Sequence, residues 1–129
     1  MNTFTKSERL CSKQLFEDLT GSDFAFVKYP FRVVAKRSAV LGEYPARIAV
    51  SVGKKRFKRA VKRNRVKRQT REAYRLSKEP FYHALPPGET WDILFIYLDR
   101  QLPEYTRIEK SVRASLHKIL QHAAGGQAS

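Results

Sequence analysis

The chain has 129 residues, 42% of them hydrophobic, which suits one domain with a single modest core and argues against wholesale disorder. Twenty-six Lys and Arg stand against 12 Asp and Glu, a net charge of +14, so a polyanionic partner is expected, nucleic acid ahead of an anionic membrane. The single cysteine, Cys11, excludes an internal disulfide framework and a multi-cysteine zinc cage.

Met1 to Leu10 has no apolar run and no window is long enough to span a bilayer, so a cytoplasmic protein without a secretory leader is expected. Ser12 suits the N-cap of a first helix, with Leu15, Phe16 and Leu19 on one face and Gly21 at its end. Phe24 and Phe26 alternate with smaller residues in a short strand, and Phe31 to Lys36 reads as a second. Gly42 and Pro45 mark a loop. Arg47 to Val52 alternates Ile48, Val50 and Val52 with Ala49 and Ser51, which is strand period. Gly53 breaks that pattern, and a long helix is predicted from there to about Ser77. Pro80, Pro86, Pro87 and Gly88 read as a connecting segment. Trp91 to Leu98 is the most apolar run and should be a central strand buried on both faces. After Pro103, Tyr105, Ile108, Val112, Leu116 and Ile119 repeat at helical spacing. Residues 1–122 read as one RNA-binding domain and 123–129 as a disordered tail. The order predicts an α+β fold, one sheet with helices packed on it.

The charge is concentrated. Residues 54–75 hold 12 basic side chains and one acid, Glu72, a net +11 of the chain's +14. On a helical wheel Val66, Gln69, Thr70, Ala73 and Leu76 should face the sheet. Asn64, Arg68, Arg71 and Arg75 should lie opposite, with Arg65 and Lys67 on the flanks and Lys54 and Lys55 at the preceding turn. A solvated charged helix normally balances its cations with acids at three- or four-residue spacing, and here that balance is missing. A membrane-surface helix needs bulky apolar residues opposite its charge, which Val66, Thr70 and Ala73 are not. Guanidinium forks match phosphate oxygens, and Asn64 suits a 2′-hydroxyl or a base edge. Elsewhere His83, His117 and His122 lack convincing metal-ligand spacing, Gly53-Lys54-Lys55 is not a phosphate loop, and no paired carboxylates stand out. A DNA-binding role is disfavoured, because no zipper heptads follow Arg75 and the flanking strands do not suit a helix-turn-helix.

The run Lys58 to Arg75, with Arg63-Asn64-Arg65, Lys67-Arg68 and Arg71-Glu72-Ala73, closely resembles the signature of the bacterial ribonuclease P protein subunit. Ser51-Val52-Gly53-Lys54-Lys55 and Arg9-Leu10 before a helix with Phe16 fit as well, so the resemblance runs from about Arg9 to Leu120. It implies a four-stranded sheet with three helices and a left-handed β-α-β crossover through the basic helix, an exception to the usual hand. It implies a catalytic ribonuclease P RNA and precursor tRNA as partners, with no DNA and no membrane. The reaction would be removal of the 5′ leader by an RNA active site that binds most of the Mg²⁺. Lys54, Lys55, Arg63, Asn64, Arg65, Lys67, Arg68 and Arg71 would face that RNA. A cleft for the single-stranded leader would use Phe16, which reads equally well as core beside Leu15 and Leu19. Two other usual aromatic positions are Thr20 and Val34 here, so that contact is lost or moves to neighbours such as Phe31. Arg56-Phe57-Lys58-Arg59 replaces a shorter glycine-bearing turn and should enlarge the basic surface. The alternative is a general RNA-binding or ribosome-associated protein.

Overall fold

The computed structural model describes residues 24–37, 44–85, 88 and 90–125. The predicted first helix, with Phe16 and Thr20, lies outside them, as does Cys11. Four strands and two helices follow in order: β1 (Phe24–Lys28), β2 (Phe31–Arg37), β3 (Ala46–Ser51), α1 (Ala60–Ala84), β4 (Trp91–Tyr97) and α2 (Tyr105–Gly125). The sheet order is β1-β2-β4-β3, antiparallel except for the parallel pair of β3 and β4, which α1 connects. The architecture is the expected α+β sheet with helices.

Strand alternation decides which side chains meet the helices. Ala46, Ile48 and Val50 of β3 are buried, whereas Arg47, Ala49 and Ser51 are half-buried on the other face. Trp91, Ile93, Phe95 and Tyr97 of β4 enter the main core with Phe31, Val33 and Ala35 of β2. The helices complete that core through Val66, Ala73, Tyr74 and Phe81 of α1 and Ile108, Val112, Leu116 and Ile119 of α2. Val34 and Leu94 form a second small cluster, with Ala49 and Ile96 against it. β4 is therefore buried on both faces, as its continuous apolar run predicts.

Three boundaries differ from the sequence reading. α1 begins at Ala60, because Gly53 C=O first accepts the N–H groups of Arg56 (3.0 Å) and Phe57 (3.4 Å) in a separate turn. At its other end α1 runs through Pro80 to Ala84. An interior proline costs about 3 kcal/mol, but each buried large apolar side chain returns about 1.5–3 kcal/mol. Phe81 is 1% exposed and Leu85 6%, so their burial outweighs the lost hydrogen bond. The buried stripe correspondingly passes through Val66, Thr70, Ala73, Tyr74, Lys78 and Phe81, and Leu76, expected to face the sheet, is 42% exposed. Finally, α2 reaches Gly125, and Ala123 is buried, so regular structure enters the segment expected to be a tail. Between α1 and β4, Gly88 takes φ 81°, a left-handed conformation that glycine adopts without strain.

Candidate nucleic-acid interface

α1 is a 25-residue helix whose two ends lead into adjacent strands and whose apolar stripe packs on the sheet. Thr70 fits that stripe because its hydroxyl donates to Val66 C=O at 2.8 Å, so its own donor is met. The helix cannot roll without uncovering Val66, Ala73 and Tyr74, so its outer face has a fixed direction. Lys54, Lys55, Lys58, Arg59, Lys62, Asn64, Arg65 and Arg68 are exposed along the turn and the first half of the helix. From Lys62 to Arg68 the helical part of the row is about 9 Å long at the helical rise. No described carboxylate pairs with any of its cations. The first turn of α1 carries no acid and its N-cap, Arg59, makes no side-chain cap. Nothing in the described fold neutralises this end of the helix.

The remaining predicted residues are placed differently. Arg63 is half-buried and one of its Nη atoms donates to Phe57 C=O at 2.7 Å and Lys58 C=O at 2.8 Å. It thereby ties the basic turn to the helix while keeping its charge beside the row. Lys67 and Arg71 are half-buried, and Arg71 already interacts within the chain. Arg75, expected on the outward face, is paired with Glu72 one turn back, its Nε donating to Oε1 at 3.1 Å. That hydrogen bond holds the Glu72 carboxyl below its ordinary range. Sequence reasoning missed the role of Phe57. Its ring is 6% exposed and stacks with Tyr97 at 6.0 Å, so it anchors the turn in the core while its neighbours Lys58 and Arg59 stay outside. One aromatic residue among four cations was the available signal.

Phe31, offered as a leader-cleft neighbour, is a correction. It is fully buried on the helix-packed face, edge-on to Phe95 and Tyr97, both at 5.6 Å, and presents no surface to a base. Strand parity is the reason: Phe31 and Val34 are three residues apart and point to opposite faces. On Val34's face lie Leu94, Ala49 and Ile96, bordered by exposed Val27 and Arg32 on β1 and β2. The same face carries Asp92, which accepts from Arg47 Nε at 2.9 Å and Nη2 at 2.8 Å. Burial drives the Asp92 carboxyl above its ordinary range, and Arg47 only partly offsets this. Among the described residues no group of three or more His, Cys, Asp or Glu side chains could hold a metal ion. Nor is any described helix long and apolar enough to cross a membrane.

The family model for ribonuclease P matches residues 4–120. The chain belongs to the ribonuclease P protein family. The ribonuclease P protein component of Porphyromonas gingivalis is 40% identical over 116 residues, covering 89% of this chain and 85% of that one. The component from Klebsiella pneumoniae is 43% identical over 74 residues, 54% of this chain and 59% of its own. Among solved structures, the Staphylococcus aureus RNase P protein superposes with a TM-score of 0.71 at 22% identity, over 92% of this chain and 99% of that chain. The Thermotoga maritima protein gives 0.61 at 26% identity, over 89% and 96%. Membership makes this chain an accessory protein subunit of a ribonucleoprotein endoribonuclease in tRNA 5′-end processing, where RNA is the catalyst.

Proposed function

We propose that α1 and its preceding turn seat the protein on the catalytic RNA of ribonuclease P. Lys54, Lys55, Asn64, Arg65, Lys67 and Arg68 contact that RNA directly, while Arg63 and Arg71 border the surface and fix its shape. The complex takes precursor tRNA and releases its 5′ leader by metal-assisted phosphodiester hydrolysis, in the cytoplasm. Ribonuclease P needs a divalent metal. On this reading the metal is Mg²⁺, held mainly by the RNA. The protein's part is to neutralise phosphates that would otherwise repel one another, which substitutes for some of the free Mg²⁺. The leader lies along the sheet face bearing Val34, and Phe16, outside the described residues, remains the proposed stacking side chain.

The observation that carries this reading is the row of exposed cations on α1, unmatched by described acids and fixed to the sheet. Purified protein added to the catalytic RNA at low Mg²⁺ should raise the cleavage rate of leader-bearing precursor. It should also favour that precursor over mature tRNA. No rate gain would overturn the proposal, and equal affinity for precursor and mature tRNA would favour a general RNA-binding role.

A further inference from the structure

A second cationic surface lies at the opposite edge of the sheet from β3 and the start of α1. β1 is the outer strand there, three strand spacings or about 14 Å from β3. α2 runs beside it, tied by Ser111, whose hydroxyl donates to Lys28 C=O at 2.7 Å. Along this seam cations from the helix sit on rings from the strand. The Arg107 guanidinium lies 4.9 Å from the centre of the Tyr29 ring, and Lys118 Nζ lies 5.1 Å from that of Phe26. At the far end His122 stacks on Phe24, with ring centres 4.0 Å apart. Arg107, Lys118 and His122 fall on one stripe of the helix, spanning about 22 Å at the helical rise.

Long cationic side chains often lie along apolar surface merely to cover it. Two observations separate this seam from that case. Of the four large apolar side chains the described structure leaves well exposed, one is here: Tyr29 at 51%. The flank is also net basic, with Lys28, Arg107, Lys110 and Lys118 against Asp99 and Glu104. Asp99 Oδ2 is 3.8 Å from Arg107 and is the acid that orients it. An exposed ring beside cations already held in place suits a partner that offers both phosphates and base faces, which is unpaired RNA rather than duplex.

We propose that the β1–α2 seam is a second RNA-binding surface, which takes an unpaired segment of the same catalytic RNA that seats on α1. It rests on the reading of α1 given above. An RNA that reaches both edges of one sheet must be large and folded, which fits the catalytic RNA and not a short leader. Arg107 and Lys118 meet phosphates, and Tyr29 offers a ring for stacking.

The test uses the full chain and the catalytic RNA alone. The double variant Arg107→Ala, Lys118→Ala should lower the slope of log affinity against log salt by about 1.4, two single-strand phosphates at about 0.7 each. Arg113→Ala removes a charge from the other flank of α2, where it pairs with Glu109, and should leave the slope unchanged. Tyr29→Ser should weaken binding by about tenfold without changing the slope, since stacking releases no ions. In the unmutated protein, Lys118 should be protected from acetylation when the RNA is bound, a readout independent of variant folding. An unaltered slope in the double variant, with Arg68→Ala still lowering it, would overturn the inference and spare the reading of α1. No response in either would overturn both. If the double variant binds the catalytic RNA alone normally and shows a loss only once leader-bearing precursor is added, the choice of occupant is overturned.

Discussion

Arg68→Ala isolates the electrostatic claim. Seven cations on the turn and helix are exposed and unpaired among the described residues: Lys54, Lys55, Lys58, Arg59, Lys62, Arg65 and Arg68. If each meets one phosphate of a duplex RNA region, the affinity should fall with salt at a log-log slope of about 6, at about 0.9 per contact. Raising salt from about 50 to 200 mM should then cost between about three and four decades of affinity. Arg68→Ala should reduce the slope by about 0.9 and weaken binding at low salt most. Arg75→Ala supplies the internal comparison, because Glu72 already holds that guanidinium and little counterion release depends on it. The measurement is a filter-binding or fluorescence titration against the catalytic RNA at five or six salt concentrations. Equal slope changes for Arg68→Ala and Arg75→Ala would refute the reasoning, since the distinction between exposed and paired cations would then predict nothing.

Three further outcomes follow from the packing. Phe57→Ala should destabilise the fold by about 3–5 kcal/mol, as expected for a buried phenylalanine, and should weaken RNA binding even at temperatures where the protein stays folded; urea melts and the same titration check it. Arg47→Met leaves the Asp92 carboxyl buried without its partner and should cost about 3 kcal/mol at pH 7. Because burial already raises that carboxyl, and removing Arg47 raises it further, the folded state prefers the protonated form; melts should show a smaller loss at pH 4 than at pH 7. Tyr97 donates its hydroxyl proton to Gln101 C=O at 2.7 Å, and burial pushes its pKa up to about 12. An unfolded tyrosine ionises near 10, so stability should be intact below pH 10 and fall by about 1.4 kcal/mol per pH unit toward pH 12. Tyr97→Phe should flatten that decline, and an unchanged alkaline profile would show that Tyr97 ionises as freely in the fold as out of it.

Much of this was legible in the chain because periodicity and burial are local. Ile48, Val50 and Val52 announced β3, and the unbroken run from Trp91 announced a strand covered on both faces. The density of Lys and Arg between 54 and 75, with its Arg63-Asn64-Arg65 core, marked out the row of exposed cations that the proposed interface uses. What escaped was set by contacts distant in sequence. Pro80 reads as a helix stop until the burial of Phe81 and Leu85 is known. Phe57 reads as part of a charged loop until Tyr97 is found beneath it. Arg63 looks like one cation among many, yet two backbone carbonyls claim it. The error at Phe31 was avoidable, since counting residues from Val34 puts it on the wrong side of the strand. The seam of Arg107 on Tyr29 and Lys118 on Phe26 was out of reach, because only the docking of α2 beside β1 brings those residues together.

The parallel pairing of β3 with β4 has a kinetic corollary. Ile48 and Ile93 are register neighbours separated by 45 positions, and α1 fills the interval. Parallel strands joined by a crossover close only after the intervening chain has formed. A nascent polypeptide that has reached residue 85 therefore carries every arginine of the basic helix but lacks the strand that aims them. An aimed helix therefore exists only once Trp91–Tyr97 has been made and has paired with β3.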